Sequence, residues 1–143
     1  MTVRRINPNE AEEAARLEKE CLFFPWSKNE IISFIASPHS FYYAAFEDGV
    51  MVGILSASVG AGECSIDNVA VHPSCRRRGV GSELIKELFC AARNEDCRSA
   101  YLEVAEDNVG AIALYGRFGF TSVGRRPHFY GKTDALLMKS EEI

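Results

Sequence analysis

One seven-residue stretch constrains this chain more than any other: Arg76-Arg77-Arg78-Gly79-Val80-Gly81-Ser82. An apolar run ends before it at Val71, and an amphipathic run starts near Ser82. The stretch therefore carries a strand end into a helix start. A helix start presents backbone N–H groups that lack an intrahelical acceptor, and the helix dipole adds partial positive charge there. Gly79 and Gly81 permit φ > 0 and a close approach of ligand to backbone, which a Cβ would block. The stretch reads as an anion cradle suited to a pyrophosphate. Two nucleotide motifs do not fit it. A P-loop needs G-x-x-x-x-G-K-[ST], and no such string is present. A dinucleotide fold needs G-x-G-x-x-G, and Gly79-Val80-Gly81-Ser82-Glu83-Leu84 lacks the third glycine.

Size and composition set the frame around the cradle. At 143 residues the chain reads as one domain, large enough to bury about 68–70% of its unfolded surface. No run of ~18 apolar residues exists, so no membrane span is expected. Met1 to Ile6 has two arginines but no apolar core segment, which argues against a secretory signal. Five cysteines, an odd number without CxxC or paired-His spacing, read as reduced, mostly buried thiols of a cytoplasmic protein, with no metal site. The net charge of −4 argues against non-specific nucleic-acid binding. Glu10, Glu12, Glu13, Glu18 and Glu20 supply much of it and read as a solvated helix face, with Glu12–Arg16 and Arg16–Glu20 at ion-pair spacing.

The remaining elements follow from period and punctuation. Val3 to Ile6 reads as a short strand. Asn7-Pro8-Asn9-Glu10 opens a helix reaching about Cys21, and Ser27-Lys28-Asn29-Glu30 opens a second with Ile31, Phe34 and Ile35 inward. Ser37-Pro38 stops that helix. Phe41–Phe46 and Val50–Val59 form a hairpin across Glu47-Asp48-Gly49, and Cys64–Val71 is the next strand. Within it, Ile66 and Val69 share a face only if one residue at Asp67-Asn68 is extra, the mark of a β-bulge; mixed faces are the alternative. After the cradle, Leu84, Ile85, Leu88, Phe89 and Ala92 form a helical stripe. Ser99–Ala105 is a strand with Leu102 and Val104 on one face and Tyr101 and Glu103 on the other. Asn108 caps a helix through Arg117, ended by Gly119, and Thr121–Arg126 and Ala135–Lys139 are the last strands. The order βααβββαβαββ defines a mixed α/β fold.

An R-x-x-G-x-G string between strand and helix resembles the acyl-CoA-binding motif of the GCN5-related N-acetyltransferase (GNAT) superfamily. Leu102-Glu103-Val104, Asn108, Ala113-Leu114-Tyr115 and Phe118-Gly119-Phe120 are similar to that family's second half in order and spacing. Pro25-Trp26-Ser27 and Asp134-Ala135-Leu136-Leu137-Met138 also look like its branch that acetylates the N-terminal amine of ribosomal proteins. The resemblance implies the GNAT fold, with helices flanking a central mixed sheet whose two parallel strands splay apart. It implies acetyl-CoA as cofactor and a protein or peptide N-terminus, such as that of a ribosomal protein, as acceptor. Carried over by residue, Val69, Ala70 and Val71 offer backbone groups to the pantetheine arm and thioester. Arg77, Arg78, Gly79, Val80, Gly81 and Ser82 hold the pyrophosphate, and Asn108 contacts the acetyl-CoA arm. Glu103 is the general base and Tyr115 the general acid.

These residue types suit the chemistry the resemblance implies. An α-amine has an unperturbed pKa of ~7.7–8 against ~10.4 for lysine, so a glutamate needs to help only modestly near pH 7. A free N–H at the bulge would stabilise the oxyanion. A phenol transfers a proton to a thiolate at a penalty of only ~2 kcal/mol, the pKa values differing by about 1.5 units. Each residue also has a plainer reading. Glu103 can pair with an arginine, Tyr115 can pack its ring on the sheet, Asn108 can be only a cap, and Arg76–Arg78 only a solvated turn. The C-terminal stretch Arg125–Thr133 aligns with a loop that walls the peptide site and usually carries two adjacent tyrosines. Here the pair is Phe129-Tyr130, the segment before Asp134 is shorter, and an acidic residue expected beside it is missing. The same fold acting on a lysine side chain or a small amine, or an acyl-CoA-binding module without transfer activity, are the competing readings.

Overall fold

Turn chemistry builds half of the sheet. In the computed structural model, which describes all 143 residues from Met1 to Ile143, Asp48 and Gly49 both take φ > 0 (51° and 78°). This two-residue turn twists with its strands and closes β2 (Ser40–Glu47) onto β3 (Val50–Gly60), with Glu47 opposite Val50. β1 (Thr2–Arg5) adds to β2, and β4 (Glu63–Val71) adds to β3 through a second short turn. β5 (Ser99–Ala105), β6 (Thr121–Tyr130) and β7 (Thr133–Ser140) complete seven strands in the order β1-β2-β3-β4-β5-β7-β6. The observed order of strands and helices is βααβββαβαββ, as expected from the sequence.

Four helices cover the two faces of this sheet. α1 (Ala11–Cys21) and α2 (Lys28–Ala36) bury Ala11, Ala14, Leu17 and Ile31 against Tyr42, Ala44, Ile54 and Ala70. α3 (Val80–Asn94) and α4 (Val109–Gly116) lie on the other face. There Leu84, Ile85, Leu88 and Phe89 pack with Leu55, Leu102, Val104, Phe120 and Met138. Each such side chain contributes about 1.5–3 kcal/mol on burial, so this stripe fixes α3, and with it the loop that precedes it.

Local chemistry sets the helix ends. Ser27 Oγ accepts from Glu30 N–H (3.1 Å) while Glu30 Oε1 accepts from Ser27 N–H (3.0 Å), a complete capping box. Ahead of α1, Glu10 Oε1 accepts from Asn7 N–H (2.9 Å), and Pro8–Glu10 winds as a 3₁₀ turn before the helix proper. Asn108 Oδ1 accepts from Ala111 N–H (3.2 Å), and Gly119 at φ 83° turns the chain out of α4.

Four expectations need correction. Glu18 is not on a solvated face: it is fully buried, and it accepts hydrogen bonds from Tyr42 Oη and from Trp26 N–H (2.8 Å). The Glu12–Arg16 and Arg16–Glu20 pairs do not form; Glu20 lies by His72 (3.7 Å) and Glu10 by Arg4 (2.8 Å). α3 begins at Val80, not near Ser82, so Val80, Gly81 and Ser82 form its first turn and Gly81 has no positive φ. The stretch Arg125–Thr133 is not a loop but the tip of a β6–β7 hairpin, in which Pro127, His128 and Phe129 bulge between the Arg126–Ala135 and Tyr130–Thr133 pairs. No helix is long and apolar enough to cross a membrane.

Candidate active site

The site begins where the ladder between β4 and β5 fails. These parallel strands pair only at Glu63–Ser99, Cys64–Ala100 and Ser65–Tyr101, and then separate. Two residues later the β3–β4 register slips: Ala57 faces Ile66, but Ser56 faces Asn68, leaving Asp67 extra. This is the bulge expected from the sequence, and Ile66 and Val69 do meet the same core. A bulge bends its strand and raises local twist, which turns β4 away from β5. From Ile66 to Val71 the edge of β4 that faces β5 has no strand partner.

The cradle lies at the helix beyond β4. Arg76 through Ser82 have seven successive backbone N–H groups with no acceptor in the protein, the first intrahelical bond near them being Glu83 N–H to Gly79 O (3.0 Å). Gly79 caps the helix at φ 82°, and the space where its Cβ would stand is open. Gly81 is needed for a different reason: a Cβ there would come within 2.7 Å of Leu114 Cδ2, so the missing side chain lets α4 close on α3. Arg77 takes φ 64° and has no ionic partner, whereas Arg78 pairs with Glu47 (3.3 Å). Arg76 Nε donates to Val71 O (3.2 Å), which occupies that carbonyl. Val80, Tyr115, Val69 and Leu114 share one core, which brings the cradle, the free strand edge and α4 together.

On the other face of β5 the gap opens into a cavity of about 400 Å³. Glu103, Tyr101, Asp67 and Asn68 form its polar lining. Phe23, Phe24 and Trp26 from the α1–α2 connection, and Phe129 and Tyr130 from the β6–β7 hairpin, form its aromatic wall. The two wall segments touch, with Phe23–Tyr130 and Phe24–Phe129 centroids at 5.6 and 5.4 Å. The buried Glu18 holds the first segment through Trp26 N–H.

Glu103 combines both readings given above. Its Oε1 pairs with Arg126 Nη2 at 2.8 Å, and its Oε2 is buried with no hydrogen-bond partner. Tyr115 also does two things. Its ring is 7% exposed and packs edge-on against Phe120 (centroids 5.9 Å), while its hydroxyl makes no hydrogen bond in the protein. Burial first, and then Tyr130 nearby, push its pKa upward, so the phenol keeps its proton at neutral pH. Tyr130 is itself raised, by burial and then by the Glu103 charge, which places it within electrostatic reach of both groups. Tyr115 does not line the cavity; it belongs to the core that α3 packs on.

The break in alternation at Asp67-Asn68 gives these residues a place in a bulge but no role for their side chains, yet Asp67 lines the cavity beside Asn68, whose Nδ2 is buried without an acceptor. The signal was that break itself. Two polar residues in succession within an apolar strand serve either a bulge or a site, and here they serve both.

A splayed parallel pair, with unpaired N–H groups at one mouth and a carboxylate in a cavity at the other, is an arrangement suited to an enzyme that binds two substrates. Residues 11–120 match the model of the acetyltransferase (GNAT) family. Over 99% of this chain and 92% of its own length, the N-alpha-acetyltransferase RimI of Mycobacterium tuberculosis is 33% identical. The crystal structure of the ribosomal-protein-S18-alanine N-acetyltransferase from Escherichia coli superposes with a TM-score of 0.88 at 26% identity, covering 99% of this chain and 93% of that one. Ard1 from Thermoplasma volcanium superposes at 0.90 and 26% identity, covering 99% and 97%. The chain belongs to the GNAT acetyltransferase family and is an N-acetyltransferase.

Proposed function

We propose that residues 1–143 act as one domain that transfers an acetyl group from acetyl-CoA to the N-terminal α-amine of a protein, a ribosomal protein being the substrate class. The observation that carries this reading is the Glu103 carboxylate in the cavity wall, fixed through one oxygen by Arg126 while the other is buried without a hydrogen-bond partner. The names of the similar RimI and S18-alanine enzymes support the choice of acceptor.

The residues present fit the cofactor. A run of seven unpaired N–H groups at a helix start suits a pyrophosphate, and Arg77, Arg78, Gly79, Val80, Gly81 and Ser82 would hold it. Val69 and Ala70 on the free edge of β4 would receive the pantetheine arm; Val71 contributes less, because Arg76 already occupies its carbonyl. Asn108 caps α4 with Oδ1 and keeps Nδ2 free for the ligand. When bound, acetyl-CoA supplies the thioester whose acetyl group the amine takes.

Glu103 Oε2 accepts the proton that the amine must lose, and Arg126 holds the carboxylate in position for it. Tyr115, with its proton retained, donates to the departing sulfur across the gap. The aromatic wall gives the cavity an apolar side, although Phe23 and Phe24 remain exposed to solvent. The test is acetyl transfer to peptides that present a free N-terminus, or a blocked one with an internal lysine. The reading requires transfer to the first and little to the second. Transfer to lysine alone would assign a side-chain acceptor, and CoA binding with no CoA release in the presence of any amine would make the chain a binding module.

A further inference from the structure

We propose that Asp67 receives the charged ammonium of the incoming acceptor, so that the cavity selects amine-bearing substrates and rejects those with an acidic first residue. The inference deepens the reading above and rests on it for the identity of the acceptor.

The bulge is what places Asp67 in the site. Without the extra residue, alternation would carry this position away from the β4–β5 gap; with it, Asp67 lines the cavity on the β4 side as Glu103 does on the β5 side. Its carboxylate takes part in no hydrogen bond or ion pair, and crowding by the cavity walls alone pushes it up to about 6. It is exposed to the cleft, and the cavity walls screen its carboxylate from water only in part. The groups around it do not neutralise it. From β5 come Glu103 and Tyr101, whose hydroxyl is turned to Glu63 (3.4 Å). From β6 come Tyr130 and Arg126, and the Arg126 guanidinium is on Glu103 Oε1. From β4 itself comes the Cys64 thiol. With Glu103 balanced by Arg126, the cavity keeps the charge of Asp67 uncompensated.

An unpaired carboxylate that its surroundings partly desolvate gains from the arrival of a cation. An α-amine with a pKa of ~7.7–8 reaches the enzyme mainly as a cation at pH 7. Asp67 attracts that cation, and Glu103 Oε2 then takes its proton. Asn68, beside Asp67, lines the same cavity, and its buried Nδ2 lacks an acceptor, which suits the first carbonyl of a peptide. An Asp or Glu side chain on the first residue would meet two carboxylates.

The experiment compares wild type with Asp67→Asn and Asp67→Glu. It uses whichever of the free-N-terminus and lysine peptides wild type acetylates, so failure of the α-amine reading shows in wild type and leaves this test intact. If neither is acetylated, calorimetric binding of the free-N-terminus peptide to the CoA-loaded enzyme takes the place of KM. Asp67→Asn should raise the acceptor KM about tenfold or more, leave the KM for acetyl-CoA unchanged, and be largely rescued by Asp67→Glu. The gap in kcat/KM between wild type and Asp67→Asn should be widest near pH 7.5 and close as the pH falls through about 6, where wild-type Asp67 becomes neutral. Asp67→Asn should melt no lower than wild type at pH 7.5, because it removes an unpaired charge. An unchanged acceptor KM, or a gap that does not depend on pH, would overturn the proposal.

Discussion

Arg126 Nη2 holds one oxygen of Glu103 at 2.8 Å, while the other oxygen of the same carboxylate is buried without a partner. An ion pair of this kind, half open to solvent, contributes ~0–1 kcal/mol to stability, too little to account for its place in the cavity wall. Its effect is orientation. Arg126→Leu should therefore lower kcat about tenfold, with the melting temperature and the KM for acetyl-CoA little changed. Steady-state kinetics alongside thermal unfolding checks this, and a large loss of stability would make the pair structural.

The Tyr115 hydroxyl is retained without any hydrogen bond in the protein, and burial keeps it protonated. Tyr115→Phe removes the hydroxyl and preserves the packing against Phe120. Stability should change by less than about 1 kcal/mol, while kcat falls about a hundredfold at unchanged acceptor KM. Equal turnover by the two proteins would reduce Tyr115 to a core residue.

Gly81 sets how closely α4 approaches the cradle. Gly81→Ala places a methyl 2.7 Å from Leu114 Cδ2, so the Leu114 side chain has to shift and presses on α4, which carries Asn108 and Tyr115. The KM for acetyl-CoA should rise several-fold. Leu114→Ala in the same chain should recover much of that rise, since two mutations at one contact couple. A strictly additive double mutant would remove the steric explanation.

Glu18 gives a stability prediction with a definite sign. Burial raises its pKa above that of an unfolded glutamate, so the folded chain holds the proton more tightly. Stability from this group is present below the unfolded value of ~4.3 and is lost as the pH rises toward the folded one. The melting temperature of Glu18→Gln relative to wild type should therefore increase from pH 4 to pH 7. Glu18→Ala leaves the Tyr42 hydroxyl and Trp26 N–H unmet and should cost about 2–4 kcal/mol near pH 4, and less as the pH rises.

What the sequence disclosed follows from how local each signal is. The Asp48-Gly49 turn, the Ser27–Glu30 box and the Asn108 cap each depend on neighbours within four residues, and each appears as expected. The bulge was also legible, because Ile66 and Val69 need one extra residue to share a face. Glu18 was not, since its partner Tyr42 lies on another element; its place one residue after Leu17, seven after Ala11, did put it on the inward stripe. The hairpin tip was hidden by Pro127, which argues against a strand. β6 is the edge strand, where a missing N–H costs nothing and a bulge absorbs the ring. The Glu103–Arg126 pair was open in principle, but which arginine arrives depends on two strands meeting across β7.

The central claim is that the unpartnered oxygen of Glu103 takes the proton of an N-terminal amine. Single-turnover acetylation of a free-N-terminus peptide by wild type and Glu103→Gln, with both substrates saturating, tests it most directly. The substitution keeps the side chain's size and removes its basicity. The Glu103→Gln rate should be at least about a hundredfold lower, with acetyl-CoA binding unchanged. A Glu103→Gln rate close to that of wild type would contradict it.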